Sequence, residues 1–138
     1  GYTLDAFGQK TYNGVATILR DPLTFLPDEE VRNIPGFEDP QSRLLATTVQ
    51  VGSEKLRVIN GYFPNGETVE SEKFPYKLAW LEALVQWLPS QLEEYPNLVP
   101  YFDFRGSCQQ DLGVEIHKKV RGNERPSDHA PVTLTLDL

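Results

Sequence analysis

The sequence predicts an α+β domain with sheets inside and helices outside. Three observations carry that: short strand-like runs early in the chain, one long stretch of helical periodicity in the middle, and an alternating run at the C-terminal end. Gly14 to Arg20 (Gly-Val-Ala-Thr-Ile-Leu-Arg) reads as a short buried strand opened by the turn Tyr12-Asn13-Gly14. Residues 21–43, punctuated by Pro22, Pro27, Pro35 and Pro40 and rich in acids, read as a long loop. Leu44 to Val51 and Lys55 to Phe63 are two strand-like runs separated by Gly52-Ser53-Glu54, a hairpin signal. In the second run Leu56, Val58, Asn60 and Tyr62 share one face, while Ile59, Gly61 and Phe63 share the other. The turn Pro64-Asn65-Gly66 then displays Asn65.

From Glu70 the period changes. Phe74, Leu78, Leu81, Leu84, Val85, Leu88 and Leu92 recur at spacings of three and four, which marks an amphipathic helix that tolerates Pro75 in its first turn. Pro89 is expected to kink it or to start a second short helix. Trp80 and Trp87 read as packing residues. Asn97-Leu98-Val99 is strand-like but runs straight into Pro100, an odd seam. Val132, Leu134 and Leu136 alternate inward in a last strand, and Pro131 holds Ala130 extended before it.

With 138 residues, a 39% hydrophobic share, two Trp, seven Phe and six Tyr, the chain has the means to bury a core as one domain. No apolar run approaches the ~20 residues of a membrane span, and no cationic leader precedes an apolar one. The lone Cys108 cannot form an internal disulfide, and no Cys/His cluster has zinc-ligand spacing, which together suit the cytoplasm. A net charge of −7 excludes a general nucleic-acid coat protein, because bulk affinity for phosphates comes from Lys and Arg. The positive charge is nevertheless local: Lys118, Lys119, Arg121 and Arg125 precede Ser127-Asp128-His129-Ala130-Pro131. A small basic rim on an acidic body suits an enzyme that binds nucleic acid briefly and releases it.

Asp128 and His129 sit at the lip of the last strand, one of only two histidines beside a carboxylate. An imidazole near its neutral pKa can donate to a phosphate oxygen or exchange protons, and a carboxylate can bind a divalent cation or orient the ring.

Four separated segments, read together, are more specific. They are Gly8-Gln9-Lys10-Thr11-Tyr12-Asn13-Gly14-Val15-Ala16, Asn60-Gly61-Tyr62-Phe63-Pro64-Asn65-Gly66-Glu67, Ser71-Glu72-Lys73-Phe74-Pro75-Tyr76-Lys77-Leu78 and Arg125-Pro126-Ser127-Asp128-His129-Ala130-Pro131-Val132. In this order they closely resemble the exonuclease III family, the bacterial apurinic/apyrimidinic endonucleases of the endonuclease/exonuclease/phosphatase superfamily. Tyr101-Phe102-Asp103-Phe104-Arg105 also resembles that family's aromatic stretch bordering the DNA.

The resemblance implies part of a four-layer α/β sandwich, two mixed β-sheets packed face to face with helices outside, formed as one incomplete domain over residues 1–138. It implies phosphodiester hydrolysis at abasic sites and 3′ ends of duplex DNA, dependent on Mg2+ or Mn2+. Carried over by motif, His129 is the phosphate-contacting imidazole, Asp128 its neighbouring carboxylate and a metal ligand, and Tyr62 the phenol that stabilises developing charge. Asn65 contacts the DNA backbone, Tyr101 shapes the pocket wall, and Arg43 and Arg105 lie near DNA or pair with local acids.

The chain also departs from the family's pattern. The first strand with its asparagine and the strand with the Gln-Glu motif have no counterpart in it. The Gly-Asp-x-Asn segment is missing between Val99 and Pro100, and the strand aspartate that orients the histidine is missing between Gly106 and Ser107. These losses favour weak DNA binding with poor cleavage, or a DNA-binding module derived from the family. They also favour an altered, compacted or aggregation-prone sheet, and a monomer unless a second chain completes the fold.

Overall fold

The computed structural model of the chain describes residues 1–11 and 13–103, and the backbone of 114–116 and 132–134. It divides into two compact units, Gly1–Asp103 and Phe104–Leu138.

In the first unit, β1 (Tyr2–Gly8) and β2 (Gly14–Arg20) form an antiparallel ribbon, paired from Tyr2↔Arg20 to Gly8↔Gly14. The second sheet is built on β5 (Leu44–Val51) and β6 (Glu54–Tyr62), an antiparallel hairpin closed by Gly52 at φ +60°. A positive φ at that turn is what glycine supplies without steric cost.

The stretch 21–43 is not all loop. It carries β3 (Thr24–Phe25), a 3-10 turn at Pro27–Glu29 and β4 (Val31–Arg32), and both strands pair antiparallel with β5. Strands of two residues are long enough to satisfy part of an otherwise open strand edge and too short to show a period.

After β6 comes α1 (Lys73–Glu94) and then β7 (Leu98–Asp103), parallel to β6 with Arg57↔Leu98 through Tyr62↔Asp103. A parallel neighbour requires such a crossover, and the helix provides it. The sheet order is β3–β5–β6–β7, with β4 on β5. Two sequence expectations need correction here. No second helix starts at Pro89: α1 runs through it as one element, with Pro89 and Val85 facing solvent so that the carbonyl deprived of its partner can be hydrated. The Val99–Pro100 seam lies inside a continuous strand. Among the described residues β7 pairs with β6 alone, and an edge strand accommodates proline.

Six of the eight β5 residues are buried, so both faces of that strand are covered. Leu44, Ala46 and Ile59 pack with Ile34, Trp80 and Leu84 under the helix. On the other side β2 lies against β5 and β6, and Asn60 Nδ2 donates to the Ala16 carbonyl at 2.8 Å. Two sheets face to face with a helix outside is the sandwich arrangement that the sequence predicts.

Arg57, only 1% exposed, ties these layers together. Its guanidinium donates to Gln91 Oε1 at 3.1 Å, to Thr48 Oγ1 at 3.0 Å and to the Glu29 carbonyl, and lies 4.6 Å from the Tyr95 ring centroid. A buried cation is tolerated only when its donors are answered in this way.

Gly61 is fixed by its neighbour across the parallel ladder. A Cβ there would lie 2.5 Å from Phe102 Cδ1 and 2.7 Å from Cε1, and Phe102 is held edge-on to Phe63 at 5.2 Å. Gly61→Ala is therefore expected to cost about 1–3 kcal/mol by overpacking. Urea unfolding checks it, and an unchanged midpoint would show that the ring yields freely.

In the second unit, β8 (Val114–Ile116) pairs antiparallel with β9 (Val132–Leu134), from Val114↔Leu134 to Ile116↔Val132. The predicted terminal strand is present with its start at Val132.

Candidate active site

Tyr62 closes β6, and Tyr101 lies on β7 in register with Asn60. Residues paired across a ladder share a face, so Asn60, Tyr62 and Tyr101 lie on the same side at the carboxyl ends of two parallel strands. Sites in α/β sheets form at such ends, where side chains from neighbouring strands converge before the chain turns away. Tyr101 is 37% exposed and Tyr62 half-buried.

Asn65 is exposed on the turn that follows. Its Oδ1 accepts the Glu67 N–H at 3.0 Å, an Asx turn that leaves Nδ2 as the donor facing outward. Glu67 takes φ +54° to complete the turn and pairs with Lys73 at the start of α1. The loop is thereby tied to the helix.

Arg43 is the residue that the structure repositions. Expected near DNA or beside local acids, it is 7% exposed and occupied by its own chain. Nε donates to Tyr76 Oη at 3.1 Å, Nη1 to the Tyr62 carbonyl at 3.2 Å, and Nη2 to Gln41 Oε1. The guanidinium carbon lies 5.1 Å from the Tyr62 ring centroid and 5.7 Å from that of Tyr76. Tyr76 Oη donates in turn to Asp39 Oδ1 at 2.7 Å. Burial first, and then the Asp39 carboxylate, hold the Tyr76 phenol well above the usual tyrosine range, so it stays protonated and serves as a bridge.

The same frame reaches the ribbon. Gln41 Oε1 also accepts from Asn13 Nδ2, and Gln9 Oε1 accepts the Ser42 N–H at 2.8 Å. Asn33 Oδ1 accepts the N–H groups of Arg43 and Leu44 at 3.2 and 3.3 Å. Sequence reasoning missed Asp39, Gln41 and Asn33. Tyr76 fell inside the resembling segment Ser71–Leu78 without a role, and its place in that segment was the available signal.

His129, Asp128 and Arg105, like the basic run Lys118, Lys119, Arg121 and Arg125, lie outside the described residues. Among the described residues no group of three or more His, Cys, Asp or Glu could hold a metal ion. No helix of the described residues is long and apolar enough to cross a membrane.

No protein-family profile matches the chain. It is 36% identical over 124 residues to exodeoxyribonuclease III of Haemophilus influenzae, which covers 88% of this chain and 45% of that protein. The chain thus spans about half the length of that curated relative. Among solved structures it is similar to the 3′ phosphatase NExo from Neisseria, captured with a product DNA hairpin. The TM-score is 0.79 and the identity 25%, over 100% of this chain and 80% of that one. A structure of the 3′-5′ exonuclease NExo from Neisseria meningitidis gives the same TM-score and identity over 96% and 78%. Motif order, sandwich layering and these similarities agree: the chain is a homologue of exodeoxyribonuclease III and shares the fold of the Neisseria enzymes.

Proposed function

We propose that this chain hydrolyses phosphodiesters at abasic sites and 3′ ends of duplex DNA, as a repair nuclease of exonuclease III type. The observation that carries this reading is the placement of Tyr62 and Tyr101 on one face at the carboxyl ends of β6 and β7, beside the Asn65 turn. It is supported by a fold shared with an enzyme captured on product DNA.

In this reading the Tyr62 phenol donates to the phosphate oxygen on which charge accumulates, and the motif resemblance gives His129 the role of a phosphate-contacting imidazole. Fixed donors are worth most where negative charge develops. Asn65 Nδ2 meets the DNA backbone, Tyr101 walls the pocket, and Arg105 lies along the duplex. A divalent cation, Mg2+ or Mn2+, would polarise the phosphate, with Asp128 the candidate ligand. A cytoplasmic setting goes with this reading, since the lone Cys108 needs no oxidising compartment.

The test is incubation of the chain with Mg2+ and a duplex carrying a tetrahydrofuran abasic analogue, followed by strand analysis. Nicking lost with EDTA and in His129→Ala is the expected result. Binding without any nick overturns the enzymatic reading and makes the chain a DNA-binding module.

A further inference from the structure

We infer that Arg43 is a positioning residue for Tyr62, using Tyr76, Asp39 and Gln41 as its backstop. This inference rests on the proposed role of Tyr62, and deepens it by naming what aims the phenol.

Arg43 holds Tyr62 at three points. The Tyr62 N–H donates to the Arg43 carbonyl at 2.7 Å, Arg43 Nη1 donates to the Tyr62 carbonyl at 3.2 Å, and the guanidinium faces the Tyr62 ring at 5.1 Å. Both peptide groups of Tyr62 are thus engaged by one residue, and the ring is held by the same residue's charge.

The guanidinium is itself immobilised from behind. Nε is answered by Tyr76 in the first turns of α1, Tyr76 by Asp39, and Nη2 by Gln41, which also accepts from the β1–β2 turn at Asn13. The frame draws on four parts of the chain that meet only in the folded state. A planar fork with several donors can span these partners together, whereas a lysine ammonium on a flexible stem cannot. Precision of this kind matters where a phenol must meet a developing charge, because a displacement of about 1 Å can cost about a hundredfold in rate.

A purely structural role would also keep Arg43 buried, so the test needs a readout of Tyr62 itself. Tyrosine-labelled protein is compared by NMR as wild type, Arg43→Lys and Tyr76→Phe, with Tyr62→Phe used to assign the Tyr62 ring signals. Tyr76→Phe removes one oxygen and keeps the ring, so it decides the matter if Arg43→Lys fails to fold. Both variants are expected to shift the Tyr62 ring signals while those of Tyr2, on the distant end of the ribbon, stay in place. Steady-state cleavage of the abasic duplex is expected to show kcat down about tenfold in Tyr76→Phe with KM within about twofold. Unmoved Tyr62 signals in folded Tyr76→Phe would overturn the inference, as would a rise in KM with kcat intact. If Tyr62→Phe cleaves as well as the wild type, the functional reading fails instead, and the ring signals alone still judge the positioning.

Discussion

Trp80→Ala is expected to destabilise the domain by about 3–5 kcal/mol, the range for deleting a large buried aromatic. Trp80 is fully buried at the point where α1 meets β5 and β6, within the cluster of Ile34, Leu44, Ala46, Ile59 and Leu84. Its ring meets Phe63 at 5.0 Å and 62°, and Cη2 reaches to 3.7 Å from where a Gly61 side chain would begin. Ala46 and Ile59 stand on strands that are paired on both sides, so the cavity left by alanine cannot collapse easily. The expected loss is a large fraction of the roughly 5–15 kcal/mol that a domain commands.

Trp80→Phe provides the contrast. The indole Nε1 is buried and has no hydrogen-bond partner among the described residues, so phenylalanine removes an unmet donor while keeping most of the apolar volume. Its cost should be the smaller by about 2 kcal/mol or more, since both variants delete the unmet donor and only alanine leaves a large cavity. Urea unfolding followed by circular dichroism separates the two. Equal midpoints for both variants would mean that the site is not packed as described.

The elements most legible in the sequence were those whose periodicity and burial coincide. Gly14–Arg20 and Leu44–Val51 were readable to the residue, and Glu54–Tyr62 to within one, because turns bound them, although Gly14–Arg20, expected to be buried, buries only Val15 and Leu19 and leaves Ile18 65% exposed. β1 was not legible because Tyr2 and Leu4 point outward at 74% and 61% exposure while Asp5 turns inward, so hydrophobicity and burial run opposite to one another. β3 and β4 exist only because β5 offers them an edge, which is tertiary information that a two-residue window cannot hold.

The site divides in the same way. That Asn60 and Tyr62 share a face follows from period two, but their alignment with Tyr101 follows from a parallel crossover whose register the sequence does not encode locally. Arg43 and Arg57 were the hardest residues to place. Cations are by default surface residues, and the partners that bury these two lie 33 and 34 residues away, at Tyr76 and Gln91. A charged residue on the core-facing parity of a strand, as Arg57 is between Val58 and Leu56, is the pattern that would have suggested it.

Tyr62→Phe should lower the cleavage rate by about 10²–10³-fold, the usual consequence of removing one preorganised donor to a developing oxyanion. The substitution deletes a single hydroxyl. The hydrogen bonds of the Tyr62 peptide groups to Arg43 and the ring beneath the guanidinium are features that phenylalanine retains, so the Arg43 frame and duplex affinity should be nearly unchanged. Single-turnover measurement with protein in excess over an abasic duplex isolates the chemical step even where turnover is slow, and fluorescence anisotropy gives the affinity. Tyr101→Phe is the matched control. A residue that walls a pocket acts through its ring, so loss of that hydroxyl should alter the rate by no more than about threefold, well short of the effect of an oxyanion donor. A large effect at position 101 with none at 62 would exchange the two roles, and losses confined to affinity would place both tyrosines in binding rather than in transition-state stabilisation.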